Sequence, residues 1–332
     1  MEERIEIPEY PAAALRIPAC DEPVSMLTET VCDARAWTRA SLSESDWRCE
    51  LSASTGKQIE SLCADRALAK TSPLVQRLMN QVKEVLTRGA GLVLIDRLPS
   101  TLSAPEMLWA YRLIGNALCP RVATKWDGTM FYEVKDTGRR FGAGVRGSAT
   151  NVELTFHTDN AFGVALPDFV GLLCQQPAAA GGISRFCSLY TVHNTMLREA
   201  PTLLRRLYEP MYYDRQAEHA ADAPPVLVAP LFRYRQGVLS ARLTPNLVFR
   251  GYELMRETMD DELREALRVL CVVVADESLW AQFRMERGQI QFLNNHWCAH
   301  FRSAFQDDAG EGTRRLLVRS WHRAWGSGDY DG

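Results

Sequence analysis

A chain of 332 residues with 46% hydrophobic content and a formal net charge of −3 can bury a full core, which excludes the disordered and fibrous classes. Its basic residues are scattered rather than gathered into a stripe, which argues against nucleic acid as a main partner. No apolar run is long enough to span a bilayer, and the acidic start Met1-Glu2-Glu3-Arg4-Ile5-Glu6 lacks the basic, then apolar plan of a signal peptide, so a cytoplasmic protein with no membrane partner is expected.

Residues 1–35 are rich in Pro, Ala and Glu with little periodicity and are expected to form an irregular arm before a single domain over 36–325. Residues 43–63 carry an ambiguous helical pattern. Thr71 or Ser72 as N-cap, Pro73 in the first turn, a stripe of Leu74, Val75, Leu78, Val82, Val85 and Leu86, and Gly89 as the stop predict an amphipathic helix that covers the core. Residues 91–95 read as a short buried strand. Ser103 and Glu106 form a capping box that opens a second helix through Leu118. The glycine- and arginine-rich stretch 137–148 fits a lid over an acidic substrate or a solvated loop, and no Lys-Ser/Thr follows to make a phosphate loop.

Residues 151–160 alternate as a strand ending in His157-Thr158-Asp159. Successive strand side chains point to opposite faces, so Asn151, Glu153, Thr155, His157 and Asp159 are expected on one face and Leu154 and Phe156 on the other. A His-x-Asp pair offers two ligands of a two-histidine, one-carboxylate iron site, whose third ligand must come from elsewhere. Residues 167–174 and 183–188 read as buried strands, 191–208 as helix, His219 as a loop histidine, and 258–273 as a third capped helix. Near the C-terminus, 287–295 reads as turn, strand and turn, and 313–321 again alternates. His296 and His300 both follow that turn as candidate third ligands, and residues 326–332 are expected to be loose. The nine cysteines show no Cys-x-x-Cys pair, which suits reduced thiols, with Cys298 as an inert filler. Short strands framing a few helices, with the two metal-site segments far apart, predict a mainly β fold with α-helices and a jelly-roll core.

Phe156-His157-Thr158-Asp159, Gly288-Gln289-Ile290-Gln291-Phe292-Leu293-Asn294-Asn295, a later His-x-Arg (His300 and Arg302) and Arg315-Leu316-Leu317-Val318-Arg319 together resemble the taurine dioxygenase/TfdA-like family of iron(II)- and 2-oxoglutarate-dependent oxygenases. The resemblance implies a double-stranded β-helix flanked by helices, with a helical insert about 191–275. It implies that His157, Asp159 and His300 hold Fe(II), that Arg315 and Ser184 bind the distal carboxylate of 2-oxoglutarate, and that Arg319 meets an acidic substrate. Gln289 departs from the family's usual Asp, at a turn position that carries no ligand. His296, His193 and His322 are then expected to be satisfied histidines without a metal.

The activity so implied is hydroxylation, or desaturation, of a small acidic or amino-acid-like molecule, with 2-oxoglutarate and O2 as cosubstrates and succinate and CO2 as coproducts. Asp159 stands where halogenating relatives carry a small residue, which disfavours halogenation. Strand parity further places Glu153 as a substrate residue beside Arg319, a pairing suited to a zwitterion, unless Glu153 pairs with Arg146 instead. Two other classes fit the residues: a jelly-roll metal hydrolase or isomerase, and a silent jelly-roll binding protein. The first leaves Arg315 and Arg319 unexplained. A homo-oligomer is compatible with all three.

Overall fold

Alternation along three strands divides the interior in two. In the computed structural model, which describes residues 15–16, 25–65, 72–140, 145–220, 222–308, 310 and 313–331, the strands Ile290–Asn294, Phe169–Gln176 and Leu316–His322 lie side by side at the centre of a seven-stranded sheet. Val170, Cys174, Leu293, Leu317 and Trp321 point into one core, whereas Phe169, Leu173, Ile290, Phe292 and Val318 point into the other. A period of two leaves each strand no other choice once both faces are covered.

Three helices cover the outer face. Ala53–Ala64, Pro73–Arg88 and Ala104–Leu118 contribute Ile59, Met79, Val82, Leu86 and Ile114 to the second core. Ser72, rather than Thr71, which lies outside the described residues, accepts from the Val75 N–H to cap the second of them, and Gly89 ends it. The Ser103/Glu106 box opens the third as expected. The ambiguous 43–63 segment resolves into a 3-10 turn at Glu44–Asp46, a strand at Arg48–Cys49 and the helix from Ala53.

The inner face looks toward a four-stranded sheet ordered Trp280–Phe283, Ser184–Ser188, Cys298–Arg302 and Leu154–His157. Two opposed sheets with a cavity lined from both give the double-stranded β-helix expected from the sequence. The segment read as one helix over 191–208 is two, Leu189–Glu199 and Pro201–Arg206, because Pro201 has no N–H to continue the first. Asp260, whose side chain accepts from the Leu263 N–H, starts the helix Asp261–Val274 later than expected. Between these lie a helix, Pro245–Met255, and four strands that the sequence pattern did not show. The described part of the arm is tied down: Leu27 is buried, and Val31 exchanges two hydrogen bonds with Asn194. The tail is docked too, with Tyr330 stacked on Trp321 and Asp331 paired with Arg323. All eight described cysteines are free, and no described helix is long and apolar enough to cross a membrane.

Behind the sheet, a buried chain runs from Tyr111 Oη to Ser320 Oγ at 2.6 Å, from Ser320 Oγ to His322 Nε2 at 2.9 Å, and from His322 Nδ1 to the Cys119 carbonyl at 2.9 Å. A carbonyl only accepts, so Nδ1 carries the proton, Nε2 accepts from Ser320 and Tyr111 donates to Ser320. A side chain at Gly171 would strike the Tyr111 hydroxyl, and one at Gly115 the imidazole, so both glycines are required by the chain's closeness. Burial pushes the His322 pKa from 6.5 down to about 4. The fold favours the neutral ring, so this stability is intact above pH 6.5 and falls as acid is added, by at most about 3 kcal/mol near pH 4. Buried His193, also held near 4, adds the same sign. Urea unfolding between pH 7 and 5 should show this slope, reduced in His322→Gln; an unchanged slope in that variant would refute the assignment to His322.

Candidate metal centre

The strand Leu154–His157 lies beside Cys298–Arg302, with His157 directly opposite His300. Their rings stand 4.2 Å apart between centroids. Asp159, two residues beyond His157, turns its Oδ1 toward both, 3.7 Å from His157 Nε2 and 3.5 Å from His300 Nε2. The three ligand atoms lie within 4.8 Å of one another, and among the described residues this is the one group of His, Cys, Asp or Glu close enough to hold a metal ion.

The donors are already oriented. The His157 Nδ1–H donates to the Thr155 carbonyl at 2.7 Å, which leaves the Nε2 lone pair facing the cluster. Burial, then the neighbouring His300, lowers the His157 pKa to about 4, so the ring is neutral at neutral pH as a ligand must be. Asp159 is only 4% exposed, and burial alone would raise its pKa. The Arg319 guanidinium, then His300 and His157, together outweigh that effect and hold the carboxyl far below the usual range. Oδ2 is occupied: Trp321 Nε1 donates to it at 2.7 Å and Arg319 Nη1 at 3.1 Å. Asn295 fixes the backbone from behind, accepting from the Asp159 N–H at 2.7 Å and donating to its carbonyl at 2.9 Å. One oxygen is thus held by the protein and one is left for a metal. Two imidazoles and one carboxylate on a single side of the space are the donor set of a non-haem iron(II) centre with open positions.

The other expected site residues divide. Arg315, Arg319 and Ser184 all line the cavity next to the cluster. Arg315 is 4% exposed and has its guanidinium over the Phe305 ring. Glu153 corrects the parity expectation, since it is exposed and absent from the cavity wall, where Leu154 stands instead. The cause is a bulge: the register passes from His300 opposite His157 to Arg302 opposite Leu154, so three steps on one strand meet two on the other and the alternation reverses. Arg146 does not pair with Glu153 either, because it forms an ion pair with Glu218, which also accepts from the Tyr330 hydroxyl. Of the stretch 137–148, residues 141–144 lie outside the described residues, and Ser148 reaches the cavity. His296 is no ligand: Nε2 meets Asp168 Oδ1 and Nδ1 meets Ser240 Oγ, both at 2.9 Å. His219 stays in its loop against the Ala220 carbonyl.

Trp321 and Asn295 join the site through contacts that the sequence motifs do not display. A signal existed for Trp321, which stands two residues beyond Arg319 and therefore on the same strand face.

The chain matches the family described as taurine catabolism dioxygenase TauD, TfdA over residues 52–321. FR-33289 synthase of Streptomyces rubellomurinus is 28% identical over 251 residues, spanning 74% of this chain and 72% of the synthase. Among solved structures, asparagine oxygenase bound to Fe(II), 2S,3S-3-hydroxyasparagine and succinate has a TM-score of 0.63 at 19% identity, over 85% of this chain and 94% of that one. The non-haem iron oxygenase OrfP, bound to Fe, succinate and (3S)-hydroxy-L-Arg, has a TM-score of 0.59 at 19% identity, over 83% and 94% of the two chains. At such identities these two establish a shared fold.

Replacing Trp321 with Phe keeps an aromatic ring in place of the indole and removes the hydrogen bond to Asp159 Oδ2. Iron(II) affinity should fall roughly tenfold to a hundredfold, as for other losses behind a metal ligand. Metal titration of the two proteins checks this, and equal affinities would show that Trp321 only packs.

Proposed function

The chain belongs to the taurine catabolism dioxygenase TauD, TfdA family, and from that premise we propose that it uses iron(II), 2-oxoglutarate and O2 to hydroxylate a small amino-acid-like molecule. The observation that carries this reading is the His157, Asp159 and His300 cluster opening onto the same cavity as Arg315 and Ser184. Iron(II) held by His157, Asp159 and His300 would let O2 act as the oxidant, one oxygen atom passing to succinate as 2-oxoglutarate loses CO2 and the other to the substrate.

The chain's own residues bind and orient. Three ligands on one side leave room for a bidentate 2-oxo acid and for oxygen. The Arg315 guanidinium forms no ion pair among the described residues, its backbone N–H donating to Asp307 instead, and it faces the cavity, where it can meet a carboxylate through two parallel hydrogen bonds. Ser184 adds a hydroxyl on the opposite wall. Arg319 fixes Asp159 and can meet an acidic group of the substrate with the part of its guanidinium that Asp159 leaves free. Phe186, Leu172 and Val170 wall the remainder with apolar surface that limits water. The amino-acid class draws support from the hydroxyasparagine and hydroxyarginine held by the two fold neighbours.

With iron(II), 2-oxoglutarate and air, one compound in a panel of amino acids and small acids should stimulate succinate formation and gain one oxygen atom. Arg315→Ala should lower succinate formation at least about tenfold at fixed 2-oxoglutarate and recover partly as 2-oxoglutarate is raised. Iron-loaded wild type that forms no succinate with any of them would contradict this function.

A further inference from the structure

Gln291 lies in the central strand Ile290–Asn294, opposite Leu172, which in turn lies opposite Arg319. This row of three side chains lines the cavity. Gln291 is 1% exposed, yet neither its Oε1 nor its Nε2 has a hydrogen-bond partner. Buried amides are almost always paired, so an unpaired one on a cavity wall points to a missing ligand.

Arg302, across the cavity on the facing sheet, shows the same deficit. Its Nη2 donates to the carbonyls of Thr150 and Val152, while Nε and Nη1 are buried without partners. Its guanidinium lies 4.9 Å from the Phe305 ring centroid and that of Arg315 4.8 Å from the same centroid. Neither guanidinium has an ion-pair partner among the described residues, the Asp307 carboxylate accepting from the Arg315 backbone N–H instead. Two buried guanidiniums and a free amide make a wall of donors with no carboxylate at ion-pair distance among the described residues.

We propose that Gln291 and Arg302 are cosubstrate-binding residues: Arg302 shares the distal carboxylate of 2-oxoglutarate with Arg315, and Gln291 donates its Nε2–H to a carboxylate oxygen of the same molecule. The inference rests on the function proposed above and extends it to two residues outside the expected set. It makes the pocket selective for a diacid over a 2-oxo monoacid such as pyruvate, which would leave both guanidiniums buried and uncompensated.

The test is calorimetric titration of Mn(II)-loaded protein with 2-oxoglutarate without oxygen, with Mn(II) affinity and melting midpoint measured alongside. Gln291→Leu should weaken 2-oxoglutarate binding roughly tenfold or more, as expected for a hydrogen bond to a charged group. Gln291→Glu should weaken it further through repulsion, and Arg302→Gln comparably, with Mn(II) affinity unchanged in the two Gln291 variants. Should Arg302→Gln fail to fold, because it also ties down Thr150 and Val152, the Gln291 variants still decide. Gln291→Leu that binds 2-oxoglutarate as tightly as wild type and melts higher would show an unpaired core amide and overturn the inference. If Arg315→Ala nonetheless loses binding, the proposed function stands while this inference falls. Wild type that binds no 2-oxoglutarate would overturn both.

Discussion

The site depends on keeping one carboxylate charged inside a protein core. Asp159 is almost fully buried, and an isolated ion there would protonate rather than bear the loss of water. Trp321 and Arg319 on Oδ2 and Asn295 on the backbone replace the lost water, while Oδ1 faces the two imidazoles and is left for a metal. Leaving the buried carboxylate uncompensated costs more than the bonds themselves are worth, so these groups act as a unit. Their division of the two oxygens sets the centre up for one metal bond from the carboxylate.

That arrangement needs two sheets at a fixed separation. His157 and His300 come from the four-stranded sheet, Arg319 and Trp321 from the seven-stranded one, and Asn295 from the turn between neighbouring strands of the two. What holds the seven-stranded sheet in place lies on its other face, where Ser320, between Arg319 and Trp321, enters the Tyr111 and His322 chain. Alternate residues of one strand thus serve the metal site and the helical layer. A slip of one residue would exchange the two sets, so register is fixed from both sides.

Much of this was legible in the sequence because it rests on local periodicity and short spacings. Ser72, Pro73 and Gly89 bound a helix whose stripe is continuous, and Ser103 with Glu106 opens the next. His157, Asp159 and His300 come together as their motifs imply. What failed depended on contacts between distant segments. The bulge that turns Glu153 outward exists only in the pairing of Leu154–His157 with Cys298–Arg302, and a single strand read alone shows strict alternation. Tyr330 and Asp331 look like a loose tail until Trp321 and Arg323 are in place to receive them. Gln291 and Arg302 are informative only through their missing partners, a property no sequence displays.

The most direct test is anaerobic titration of the iron(II)-loaded protein with 2-oxoglutarate, following the weak visible charge-transfer band of the chelate. A saturable band in wild type that needs far more 2-oxoglutarate in Arg315→Ala supplied with the same iron is the predicted result. Iron bound at the cluster with no band at any 2-oxoglutarate concentration would contradict the account.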